Sequence, residues 1–98
     1  MPVAQKDYRA RDLQIVADCF EKATEVSMKS FVDAFDGLLT REQVKTLIYK
    51  LEDVGLLIKI KAQKYTRYAL NLEEIDIQQD IYGQFIEKIS NNQNFNST

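Results

Sequence analysis

Between Leu39 and Leu70 the sequence LTREQVKTLIYKLEDVGLLIKIKAQKYTRYAL changes its hydrophobic period in the middle. Val44, Leu47, Ile48 and Leu51 recur every three or four positions, the repeat that gives a helix one apolar stripe, and Val54 extends it. After Gly55 the repeat becomes two. Ile58, Ile60 and Ala62 alternate with Lys59 and Lys61, then Thr66, Tyr68 and Leu70 alternate with Tyr65, Arg67 and Ala69. A helix followed by a hairpin satisfies both halves. Thr40, with Gln43 three residues on, forms a capping box that starts the helix, and Gly55 is placed to close it. A four-residue turn from Ala62 to Tyr65 suits a hairpin with no glycine or asparagine at its tip. The alternation is expected to turn Ile58, Ile60 and Ala62 toward the core and Lys59 and Lys61 toward solvent.

The flanking segments carry helical patterns of their own. Asp7 can cap a helix running to about Lys22, with Leu13, Val16, Ala17 and Phe20 as its apolar stripe. Arg9, Arg11, Asp12, Asp18 and Glu21 fall largely off that stripe, and Cys19 beside it suits a small, partly buried filler. A second helix fits Ser27 to Phe35, capped by Ser27, carrying Met28, Phe31, Val32 and Phe35, and ended by Asp36-Gly37; Leu38 and Leu39 then make a short apolar turn. Beyond Leu70 one more helix is expected, capped by Asn71 or Asp76, with Leu72, Ile75 and Ile77 leading in. Its ridge is Ile81, Phe85 and Ile89, flanked by Tyr82 and Ile86. The organisation predicted is a frayed 1–6, a main domain over 7–70, a C-terminal helix within 71–90 that packs on the core or dimerises, and a disordered polar tail over 91–98. The fold class is α+β, mainly α: a three-helix helix-turn-helix core, a two-stranded hairpin and an additional C-terminal helix.

Composition narrows the chemistry. Ninety-eight residues support one core, and 45% hydrophobic with 29% charged residues is ordinary globular usage. With no histidine and a single cysteine, zinc sites, Ser-His-Asp triads and Cys-His dyads are removed, and no close carboxylate pair stands in an apolar context. The expectation is therefore no enzyme, no cofactor and no metal. A lone cysteine cannot form an internal disulfide, which points to a reducing, cytoplasmic compartment. No apolar run approaches the ~20 residues that span a bilayer, so no membrane partner is expected.

The order helix, helix, helix, strand, strand, with KLEDVGLLIKI leading into YTRYAL, resembles the winged helix-turn-helix family. The resemblance covers about Asp7 to Leu70 and rests on Leu51, Gly55, Leu56 and Leu57 before the first wing strand and on Thr66-Arg67-Tyr68 in the second. It is closest to the small winged-helix domains at the C-terminal ends of multidomain bacterial proteins, the RecG-like, Schlafen-related regulators and Fic-type proteins. That family implies double-stranded DNA as partner: its third helix enters the major groove, and its wing touches the phosphate backbone or minor groove. Carried over, the third helix presents Arg41, Gln43, Lys45, Thr46, Tyr49 and Lys50, and the wing presents Lys59, Lys61, Lys64 and Arg67. Two departures stand out: the wing is short and lacks the usual glycine, and the recognition helix is not basic.

Charge placement bears on that reading. Between Val54 and Leu72 the chain holds Lys59, Lys61, Lys64 and Arg67 and no acid, whereas the third helix balances Arg41, Lys45 and Lys50 against Glu42, Glu52 and Asp53. From Asn71 onward five acids face one lysine, Lys88. The basic wing suits phosphate contacts, and Arg41 can fork onto guanine while Gln43, if free of its capping bond, can pair with adenine. The same lysines also suit a solvated strand face guarded against edge pairing. The favoured function is a DNA-binding winged-helix domain acting in transcription regulation or DNA targeting. The alternative is a winged helix for protein contacts, dimerising through Ile81, Tyr82, Phe85, Ile86 and Ile89.

Overall fold

The computed structural model describes residues 10–91; the expectations for residues 1–6, for Asp7 as a cap, for Arg9 and for the tail beyond Asn91 lie outside them. Among the described residues, four helices and three short strands follow one another as α1 (Ala10–Lys22), β1 (Val26–Ser27), α2 (Met28–Phe35), α3 (Arg41–Asp53), β2 (Leu57–Lys61), β3 (Thr66–Leu70) and α4 (Ile81–Ser90). The domain is a small, mainly helical α+β fold with an antiparallel sheet in the order β1-β3-β2.

Two helices, α2 and α3, begin at side-chain caps. Ser27 Oγ accepts from the Ser30 amide at the head of α2. At the head of α3, Thr40 Oγ1 accepts from the Gln43 amide while Gln43 Oε1 accepts from the Thr40 amide, so both halves of the capping box are made. The end of α3 is a Schellman closure. Gly55 takes φ +90°, its amide donates to the Glu52 carbonyl, and the Leu56 amide reaches back to the Leu51 carbonyl. Asn71 then locks this turn from across the sheet, its side-chain amide donating to the Gly55 carbonyl at 2.8 Å. At the end of α2 it is Asp36 itself, at φ 42°, that enters the left-handed region, with Gly37 following.

The core gathers Leu13, Val16, Ala17 and Phe20 of α1, Phe31 and Phe35 of α2, and Val44, Leu47, Ile48 and Leu51 of α3. Leu56, Leu57, Tyr68, Leu70 and Ile75 close it from the sheet side, and Ile81, Phe85 and Ile89 of α4 pack along α1. Phe31 sits between Phe20 and Tyr68, its ring 5.7 and 6.2 Å from theirs in tilted contacts, and so ties α1, α2 and β3 together.

The structure departs from the sequence pattern at several points. Asp12 is buried rather than off the stripe, because it stands four and eight residues before Val16 and Phe20 and shares their side of α1. Its Oδ1 takes two bonds from the Arg11 guanidinium, at 3.2 and 3.0 Å. The hairpin turns its faces the other way from expectation: Leu57 is buried and Ile58 is 45% exposed. The Schellman turn delivers Leu57 inward, and with period two Lys59 and Lys61 follow it onto the core side while Ile58 and Ile60 lie on the back. A strand that the sequence pattern did not predict, β1, pairs Val26 with Tyr68 and Ser27 with Arg67.

The last helix starts later than expected, at Ile81 after Asp80. Asn71 and Asp76 do not cap it; each accepts from an amide two residues on, those of Glu73 and Gln78, and so holds a turn. Of the lead-in residues only Ile75 is buried, and Leu72 and Ile77 stand 64% and 59% exposed. Gln84 fastens the segment to α4 by a reciprocal pair with the Asp76 backbone, accepting from its amide and donating to its carbonyl, both at 2.8 Å.

Candidate nucleic-acid interface

The outer side of α3 and the front of the hairpin meet at one contact. Arg41, Lys45 and Tyr49 stand four residues apart and so follow one side of α3 toward its C-terminal half. There the Lys59 ammonium lies 5.9 Å from the centre of the Tyr49 ring, within range of a cation–π contact. Lys59 is the cross-strand partner of buried Tyr68, which places it on the face of the sheet that looks toward α3. Lys61, two residues on, shares that face and is exposed, as is Lys64 in the turn. The turn is a four-residue connection as expected, with the Ala62 amide donating to the Tyr65 carbonyl at 2.8 Å.

Other predicted site residues have different employment. Gln43 is exposed, but its carbonyl oxygen is committed to the Thr40 amide, and its amide group alone is left for recognition. Thr46 donates to the Glu42 carbonyl at 2.9 Å, a local helix bond. Lys45 is half-buried and 4.0 Å from Glu42, a loose pair on the helix surface. Lys50, half-buried, falls with Gln43 on the opposite flank of the helix from Lys45.

Arg67 belongs to the other face of the hairpin. It pairs directly with Ile60, away from Lys59 and Lys61, and its guanidinium lies 4.6 Å from the Tyr65 ring. The wing charges that the sequence groups together are thus divided, two lysines in front and the arginine behind. Tyr65, 56% exposed, is a further surface group that was not among the expected site residues. Its position two residues before Arg67, on the same side of an extended chain, was the available signal.

Beneath this surface, burial pushes the Tyr68 hydroxyl above the ordinary tyrosine range, and the neighbouring Tyr49 and Glu52 add to the shift. The phenol therefore stays neutral beside the lysines. Ile81, Phe85 and Ile89 are buried in the chain's own core, so of the expected dimer ridge only Tyr82 and Ile86 retain partial exposure.

Compared with models of known protein families, with curated proteins and with solved structures, the chain matches none. Among the described residues no group of three or more cysteine, aspartate or glutamate side chains is placed to hold a metal ion, and no helix is long and apolar enough to cross a membrane.

Proposed function

We propose that the chain is a DNA-binding winged-helix domain, serving as a transcriptional regulator or as the DNA-targeting module of a larger bacterial protein. The observation that carries this reading is the Tyr49–Lys59 contact, which joins the outer side of α3 to the front of the hairpin in one surface. A capped helix held against a basic hairpin by a glycine turn also supports the winged-helix assignment. Arg41 supplies a fork for a base edge or phosphate, Lys45, Lys59, Lys61 and Lys64 supply point charges, and Tyr49 supplies a flat ring for a sugar or base. Arg67 has no part in this surface.

Fluorescence anisotropy on a mixed duplex pool, titrated with salt, tests the proposal. Removing one lysine–phosphate pair lowers the slope of log affinity against log salt by about 0.9. Lys45→Ala/Lys59→Ala/Lys61→Ala is expected to flatten the slope by that amount for each pair removed, and Arg67→Ala to leave it unchanged. Absence of binding at low salt, or an equal flattening from Arg67→Ala, overturns the reading. A second reading, a module for protein contacts, is favoured by exposed apolar side chains on the opposite side, Ile58, Leu72 and Ile77.

A further inference from the structure

The most exposed line of α3 carries two acids and no lysine or arginine. Helical spacing puts Glu42, Thr46, Tyr49 and Asp53 along that line, opposite the buried stripe of Val44, Leu47, Ile48 and Leu51. Burial agrees with the geometry: all four residues are exposed, whereas Lys45 and Lys50 on either side of the line are half-buried. The Glu42 side chain is 83% exposed. It shares its line with Tyr49, whose ring meets Lys59 of the hairpin. A duplex laid along α3 and the front of the hairpin therefore has Glu42 facing it.

The hydrogen-bonding capacity left on this line is one-sided. A carboxylate accepts and does not donate. Lys45 Nζ, paired with Glu42, is at 4.0 Å, beyond hydrogen-bond reach, so the carboxylate oxygens are open to a donor from outside. Thr46 Oγ1 gives its one proton to the Glu42 carbonyl at 2.9 Å, so toward the outside it too can only accept. The two side chains stand one helical turn apart, about 5–6 Å, which is between one and two base steps along a strand. In the major groove cytosine offers its N4 amine alone, guanine offers acceptors, thymine an acceptor and a methyl group, and adenine sets its N6 amine beside the N7 acceptor. An acceptor-only side chain is matched by cytosine, half-matched by adenine and opposed by the oxygens of guanine and thymine. Against a wrong base the carboxylate loses water without gaining a partner, a penalty that discriminates between sequences.

We propose that Glu42 selects the sequence this surface binds, its carboxylate accepting from the N4 amine of a cytosine in the major groove, with Thr46 Oγ1 as a second acceptor one turn on. This role rests on DNA binding through α3 and the hairpin. It also explains why a helix in that position balances its charges: Arg41 and the lysines attract any duplex, and Glu42 rejects those that offer it no amine.

The test recovers bound duplexes from a randomised pool with the intact chain, first as wild type and then as Glu42→Gln. The variant keeps the size of an exposed side chain and adds a donor, so its melting temperature is expected to match the wild type. Wild-type sites are expected to share a cytosine whose preference disappears from the Glu42→Gln sites while the other preferences stay. In anisotropy titrations, replacing that C·G pair by T·A puts an oxygen where the amine was and is expected to weaken wild-type binding about fivefold or more. Glu42→Gln should bind the two duplexes about equally, and should bind unrelated duplex more tightly than the wild type does. Thr46→Val, which lacks the second acceptor, should relax selectivity one or two base pairs away. Wild-type sites with no such cytosine, or a cytosine preference that Glu42→Gln retains, overturn the role of Glu42 and leave DNA binding standing. Failure of the wild type to bind any duplex at low salt overturns both.

Discussion

Replacing Gly55 by alanine isolates what the turn after α3 demands. At φ +90° an L-residue pays about 1–2 kcal/mol for left-handed backbone. No heavy atom lies within 4 Å of the place where its Cβ would sit, so no clash adds to that cost. Alanine also stiffens the unfolded chain, which returns about 0.4–1 kcal/mol. The net expectation is a loss of about 1 kcal/mol, read as a melting temperature lower by about 4–8 °C for a domain of this size. Gly83→Ala is the matched control, with the opposite sign. That glycine is inside α4, where alanine gains about 0.5–1 kcal/mol. Its Cβ would meet Asp80 Oδ2 at 2.7 Å, but this is the end of a flexible side chain that makes no capping bond and can turn away. Thermal melts followed by circular dichroism compare the two. A Gly55→Ala variant as stable as the wild type would refute the account of the turn, because the cost rests on backbone conformation alone.

Thr40→Ala removes one half of the capping box and should cost about 1 kcal/mol in chemical denaturation. Phe85→Ala, at a fully buried position of α4, should cost about 3–5 kcal/mol, enough to unfold a large part of the population of a marginally stable domain. Burial pushes the Cys19 thiol above its ordinary value, outweighing the nearby Lys22 ammonium. Its alkylation by iodoacetamide should rise with pH at a later midpoint than a free cysteine peptide shows. The stability it contributes is complete below the unfolded thiol's pKa and is lost as pH rises through the folded one, so denaturation midpoints should fall across that alkaline window, and a Cys19→Ala variant should decline less steeply there.

Much of this architecture was legible because it depends on local rules. Thr40 with Gln43, Ser27 as a cap, and the stripe Val44, Leu47, Ile48 and Leu51 all declare themselves within one or two turns of helix. The four-residue hairpin connection did so too. What escaped prediction depends on partners distant in sequence. A two-residue strand such as β1 has no alternation to detect, and only Tyr68 and Arg67 across the gap make Val26 and Ser27 extended. The facing of the hairpin is ambiguous in the sequence because LLIKIK contains apolar residues in succession at its start, so that either parity can be matched to the core; the turn at Gly55 decides for Leu57. That one-residue shift also explains the candidate site. It carries Lys59 and Lys61 to the front with Tyr49 and leaves Arg67 behind with Ile60, a division invisible to a count of charges.

Ser27 holds two offices at once. Its backbone pairs with Arg67 on the hairpin's inner strand, and its hydroxyl receives the Ser30 amide at the start of α2. The hairpin is thus no free arm. Any force that tilts β3 pulls on the residue from which α2 hangs, so displacement of the sheet and fraying of that helix become one event. Hydrogen exchange at the Ser30 amide should therefore register occupancy of either face of the hairpin, although neither face touches it, and a Ser27→Ala variant should let the two motions part company.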